Sequence, residues 1–305
     1  MQSWQADLLN LQLSLSVKQM FKYVGSVKRM RRMVQFSDRT FGRFAIPWDT
    51  ERTPVVIDNA EFDAEWICIQ EREAERVILY LPGGAYILRT PNIHAGMVSR
   101  LCKSAGAKAL MVYYRLAPEH PFPACRDDAI AAYQWLLEQG VSSERIAIAG
   151  DSAGGGLTLS ALLTIRDRNL PMPACAYMLS PLLDARDHAP SRWKNALSDT
   201  ALPAPKRSGT SLRQLYLADN EIDDPLFSPI NGDLDGLPPM YIQVSDSEML
   251  LDDSLRLARR AHTYGVEVSV DIWRKVPHVW QCFSFLPEAT EALEKASWFI
   301  KKQIV

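Results

Sequence analysis

Beyond Pro47 the chain alternates short apolar runs with stretches whose apolar residues recur every three or four positions. The runs are Val77–Leu81, Ala109–Tyr114, Ile146–Ala149, Ala174–Leu179, Met240–Val244 and Val268–Ile272, preceded by the β-rich segments Thr53–Ile57 and Glu65–Gln70. Between them lie helix-like stretches such as Asp127–Gln139, Gly155–Ile165 and Leu251–Tyr264. This alternation predicts an α/β fold, a mostly parallel sheet covered by helices on both faces, with functional residues at the carboxyl ends of the strands. Upstream, Val17, Met20, Phe21, Val24, Val27, Met30 and Val34 share one helical face, which predicts a helix over Val17–Val34. From about Asp187 to Asp224 the rhythm breaks, with Pro190, Pro203, Pro205 and the polar run Lys206–Ser211. That is too long for an ordinary connection, and it predicts an insertion above the sheet that packs beside the N-terminal helix as a cap over a pocket.

Charge narrows the partners. Lys and Arg number 34 against 36 Asp and Glu, a formal −2 that offers no global field for a nucleic acid. The helix around Val17–Val34 carries Lys18, Lys22, Lys28, Arg29, Arg31 and Arg32. Basic amphipathic helices can lie on membranes, yet most pack their stripe on their own protein, and the packed reading is preferred. No stretch approaches the roughly 18 apolar residues of a membrane span, and the segment Met1–Asp7 lacks the basic and apolar regions of a signal peptide. A cytoplasmic protein without stable membrane insertion is therefore expected. Five cysteines, Cys68, Cys102, Cys125, Cys175 and Cys282, are scattered without ligand spacing, so reduced thiols are expected rather than disulfides or a zinc site.

Gly150-Asp151-Ser152-Ala153-Gly154 falls between a predicted strand and a predicted helix, the setting a G-x-S-x-G nucleophile elbow requires. A serine hydroxyl is a weak nucleophile at neutral pH, so acyl transfer also needs a histidine base and a carboxylate that orients it. His94 and His120 precede the elbow, His188 lies in the insertion and His262 lies in a helical pattern. His278 follows the strand Val268–Ile272 in a loop and is the candidate base. After the strand Met240–Val244 four carboxylates compete, and Asp252 and Asp253 are accounted for as the acidic start of a helix. Asp246 and Glu248 remain. Pro82-Gly83-Gly84-Ala85, after the strand Val77–Leu81, is a candidate oxyanion loop, which puts Gly83, Gly84 and Ala85 in the expected oxyanion hole, with the amide of Ala153 as the further donor.

These residues resemble the hormone-sensitive-lipase-like esterases of the α/β-hydrolase superfamily, also called bacterial family IV carboxylesterases. The resemblance runs from about Val77 to the C-terminus and rests on Gly150–Gly155, on Tyr114-Arg115-Leu116-Ala117-Pro118-Glu119-His120-Pro121-Phe122-Pro123-Ala124, and on the His278 segment. It implies a serine esterase with Ser152 as nucleophile and His278 as base. The family's acid motif, Asp-Pro-Leu-x-Asp-Glu, sets its first acid on Glu248 and so favours Glu248 over Asp246. The family's His-Gly-Gly-Gly becomes Pro82-Gly83-Gly84-Ala85, an oxyanion loop whose donors would be the amides of Gly84 and Ala85. Glu119 and His120 are implied to brace loops.

The expected organisation is N-terminal cap helices over 1–45, a hydrolase core over 46–186, a cap insertion over 187–224 and the rest of the core over 225–305. The expected activity is hydrolysis of short- to medium-chain acyl esters, with a small-molecule ester as partner, at most a second copy of the chain beside it, and no metal or organic cofactor. A ligand-binding protein without turnover and a membrane-docked lipase are the competing readings.

Overall fold

The computed structural model describes residues 2–23, 26–70, 74–186, 188–204, 212–217 and 221–304. Among the described residues eight strands form one sheet: β1 (Thr50–Val55), β2 (Asp63–Ile69), β3 (Arg76–Leu81), β4 (Ala107–Tyr113), β5 (Ile146–Asp151), β6 (Cys175–Leu179), β7 (Met240–Ser245) and β8 (Val268–Trp273), in the order β1-β2-β4-β3-β5-β6-β7-β8. Only the pairs β1 with β2 and β2 with β4 are antiparallel. The helices are α1 (Trp4–Leu15), α2 (Val17–Tyr23), α3 (Val27–Thr40), α4 (Pro91–Ala105), α5 (Ala124–Glu138), α6 (Ala153–Asp167), α7 (Pro190–Lys194), α8 (Leu212–Leu217), α9 (Leu251–Thr263) and α10 (Pro287–Gln303). A short 3₁₀ turn, Gly42–Ala45, follows α3.

Continuous apolar strands need cover on both faces, and the side-chain alternation supplies two cores. Leu79 and Leu81 of β3 and Ile148 of β5 meet Ile130 of α5, Leu162 of α6 and Leu257 of α9. Ile78 and Tyr80 of β3 and Ala149 of β5 point the other way, to Met97 and Leu101 of α4 and Ile300 of α10. β1 is a half-exposed edge, which is where Pro54 can be tolerated because its missing N–H costs no ladder bond. All five cysteines are free thiols.

Two expectations change. The predicted helix over Val17–Val34 is two helices, because Ser26 has extended backbone (φ −128°, ψ 119°) and starts α3 afresh. Helices α4 and α10 were not anticipated. α1 buries Ala6, Leu9 and Leu13 against Trp273, Trp280 and Ala289, and Glu288 at the start of α10 accepts from the Ser3 amide and hydroxyl at 2.6 and 2.9 Å.

The polar run Lys206–Ser211 lies outside the described residues. The described parts of the insertion are tied down at both sides. Arg192 of α7 pairs with the fully buried Asp253 at 2.7 Å. Lys18 of α2 donates to the carbonyls of Ala196 and Asp199 at 2.9 and 2.5 Å, and Thr200 donates to Asn10 at 2.8 Å.

Candidate active site

One residue separates β5 from α6, and that residue, Ser152, takes φ 53° and ψ −119°. Such a conformation costs a non-glycine residue about 1–3 kcal/mol and persists only where neighbours enforce it. Here the Ser152 amide donates to the Leu179 carbonyl of β6 at 2.8 Å, and the Ser152 carbonyl accepts from Leu182 at 2.9 Å. The turn is tight enough that a Cβ on Gly154 would stand 1.9 Å from the Leu81 carbonyl oxygen. The hydroxyl is thereby held above the carboxyl ends of β3 and β5.

His278 reaches it from the loop after β8, with Nε2 2.9 Å from Ser152 Oγ. On its other side Nδ1 is 2.5 Å from Glu248 Oε2. A carboxylate facing Nδ1 fixes the proton there and leaves Nε2 free to accept the serine proton. Glu248 is buried, and its second oxygen accepts from Ser180 Oγ at 2.7 Å and the Ser245 amide at 2.8 Å. That oxygen is saturated, so the carboxylate cannot swing away from the ring. Burial pulls the His278 pKa down, but the charge and hydrogen bond of Glu248, with Asp199 and Asp151 adding to them, outweigh it and leave the value raised above 6.5. Asp246, the competing acid of the sequence, is exposed and accepts from the Lys275 amide at 2.7 Å, pinning the start of the His278 loop.

The loop Pro82–Leu88 runs with positive φ through Gly84 (130°), Ala85 (53°) and Tyr86 (60°). Among the described residues the amides of Gly84, Ala85 and Ala153 donate to nothing. Gly83 does not join them. Its amide is spent on Asp151 Oδ1 at 2.9 Å, which corrects its place among the expected donors. The Tyr114–Ala124 motif braces this loop: Tyr114 Oη donates to the Pro82 carbonyl at 2.5 Å and the Ala117 amide to Tyr86 at 3.0 Å. Arg31 of α3 binds both oxygens of Glu119 at 2.8 Å, the Ile87 carbonyl at 2.7 Å and the Ala117 carbonyl at 2.6 Å. The His120 amide donates to the Leu116 carbonyl at 3.0 Å.

Behind the elbow sits a pair that sequence reasoning missed. Buried Asp151 accepts from Gly83, from Tyr80 Oη at 2.9 Å and from His94 Nε2 at 3.2 Å. His94 Nδ1 is 2.9 Å from the Thr90 carbonyl, to which it can donate, and 3.0 Å from the Thr90 hydroxyl. Burial would neutralise both groups. The charge and hydrogen bond of Asp151 instead hold His94 above 6.5, and those of His94, with Gly83 and Tyr80, hold Asp151 below 3.8. His94→Leu strands a buried carboxylate and is expected to cost about 3–5 kcal/mol in urea unfolding. The raised histidine gives stability below pH 6.5 that is lost as pH rises through its folded value, and the depressed aspartate gives stability above pH 3.8 that is lost as pH falls through its own. The difference between parent and variant should therefore peak between these two values, and a difference independent of pH would contradict the charged pair.

Residues 78–282 match the family described as alpha/beta hydrolase fold. An acetyl-hydrolase of Streptomyces hygroscopicus is 38% identical over 285 residues, covering 91% of this chain and 90% of that protein. An esterase of Acinetobacter venetianus is 34% identical over 230 residues, covering 75% and 76%. The crystal structure of an esterase from the bacterial hormone-sensitive lipase family superimposes with a TM-score of 0.90 at 34% identity over the full length of both chains. EstE5, solved after soaking with p-nitrophenyl butyrate, gives 0.89 at 35% identity over 99% of each. The chain belongs to the α/β-hydrolase fold family, among its hormone-sensitive-lipase-like esterases.

Proposed function

We propose that the protein is a serine carboxylesterase acting on short- to medium-chain acyl esters through an acyl-enzyme. The observation that carries this is the unbroken chain Ser152 Oγ, His278, Glu248, at 2.9 and 2.5 Å, beside three undonated amides. Ser152 attacks the ester carbonyl while His278 Nε2 takes its proton, the oxyanion rests on the amides of Gly84, Ala85 and Ala153, and the imidazolium then protonates the departing alcohol. Water enters, gives its proton to His278 and attacks the acyl carbonyl, and His278 returns that proton to Ser152 Oγ as the bond to the acyl group breaks and the acid leaves. The cycle needs no metal or organic cofactor. The names and the p-nitrophenyl butyrate soak of the relatives support a small ester as substrate.

Residues 1–45 and 187–224 serve as the cap. Supporting this, Lys18 and Asn10 tie the two segments together, and Tyr216 of α8 stacks on Tyr86 of the oxyanion loop with ring centres 3.7 Å apart.

The test is intact-mass spectrometry with peptide mapping after a fluorophosphonate. A single adduct on Ser152 that disappears in His278→Ala is expected. A folded protein that stays unlabelled would favour ligand binding without turnover. Glu248→Gln should lower kcat far more than Asp246→Asn, because only the former loses the anion beside the imidazolium. In the parent the acid limb of kcat/KM should lie above pH 6.5, since His278 must be neutral to act and its value is raised. In Glu248→Gln the limb should move down. Equal effects of the two substitutions would move the acid elsewhere.

A further inference from the structure

We propose that α3, the turn Gly42–Ala45 and Trp48 form a surface that docks on an anionic lipid bilayer. Eight of the 34 Lys and Arg but only one of the 36 Asp and Glu fall between residues 17 and 48, in a chain whose formal charge is −2. That one acid, Asp38, is buried and accepts from the Asn92 and Ile93 amides, so it neutralises none of the surface. Lys28, Arg29, Arg32, Arg39 and Arg43 are exposed and form no ion pair among the described residues. At about 100° per residue, Lys28, Arg29, Arg32, Met33, Phe36 and Arg39 fall within an arc of about 140°, facing away from buried Met30.

Large apolar side chains are interleaved with these charges along the chain, and Arg43 lies over the Phe44 ring at 4.9 Å. Phe36 is 70% exposed at the centre of the arc, Phe44 is 74% exposed and Trp48 88%. A single exposed apolar side chain is ordinary, but several gathered with unpaired cations mark an interaction surface, and one meant for a rigid polyanion has no use for them. Arginine and lysine heads attract anionic headgroups, while phenylalanine and tryptophan gain by entering the acyl boundary. The exposed stripe of α1, Trp4, Leu8, Leu11 and Leu15, has only Asp7 for charge and offers no such complementarity. Among the described residues no helix is long and apolar enough to cross a membrane, so the contact is peripheral.

The test is co-sedimentation of the full chain with phosphatidylcholine vesicles, with and without phosphatidylglycerol, alongside activity on a soluble ester to report folding. The parent should sediment only with phosphatidylglycerol and be released by salt. Arg29→Glu with Arg32→Glu should weaken partitioning by roughly a hundredfold, and Phe36→Ser with Phe44→Ser should weaken it while leaving salt sensitivity, both with unchanged activity on the soluble ester. No sedimentation, or variants that sediment like the parent, would overturn the proposal. So would light scattering that shows the variants abolishing a dimer, or retention on DNA-cellulose insensitive to the phenylalanine substitutions, which would mark a self-association surface or a polyanion site.

Discussion

Replacing His278 by alanine should lower kcat/KM for a soluble short-chain ester by about 10⁴ to 10⁶-fold while the protein stays folded. Removing the base from a unit of this kind costs nearly as much as removing the nucleophile, because neither group works without the other. Ser152→Ala should therefore give a loss of similar size, and the double variant should be little worse than either. The substitution costs stability, because buried Glu248 loses one of its three partners, but Ser180 and the Ser245 amide still bond it and the chain stays folded. Circular dichroism and the urea midpoint check that point. Losses that multiply in the double variant would show two groups acting independently and would overturn the relay.

The second large effect is on assembly. Gly154→Ala places a Cβ 1.9 Å from the Leu81 oxygen and 2.8 Å from backbone carbons of Leu81 and Pro82, none of which can rotate away. Either α6 must lift from β3 or the elbow must open. The expected loss is at least about 3 kcal/mol of stability, as in overpacked cores, with activity falling in step because Leu81 leads into the oxyanion loop. Gly140→Ala is the control: its φ of 82° carries a conformational cost of only about 1 kcal/mol, and no atom lies within 4 Å of the added Cβ. Differential scanning calorimetry compares the two, and equal shifts would show that the crowding at Gly154 relaxes at little cost.

The parts of the site that lie in sequence-local settings were legible. Ser152 stands between an apolar run and a helical one, and His278 and Glu248 follow strands at the carboxyl edge, where chemistry collects in open α/β sheets. The choice of Glu248 over Asp246 needed the family motif, since two acids two residues apart in one turn differ only in direction. Gly83 was misplaced for the same reason: adjacent amides in a loop point different ways, and side-chain identity does not say which. Ser180, His94 and Asp151 were missed because each acts through a partner 57 or more positions away. Helix α4 was missed because it is buried around much of its circumference, which erases the one-sided period, whereas α10 carries that period at Ala289, Ala292, Leu293, Ala296, Phe299 and Ile300 and was legible. The break at Ser26 was hidden because the apolar spacing runs through it from Val24 to Val27.

Ser152 and His278 are 126 positions apart, and that separation sets a clock on the newborn chain. At roughly 5–20 residues per second, a ribosome exposes the elbow about 6–25 s before it has made the base. Every truncated product that ends before residue 278 thus carries a serine with nothing to deprotonate it, and hydrolysis becomes available only once the base has been made.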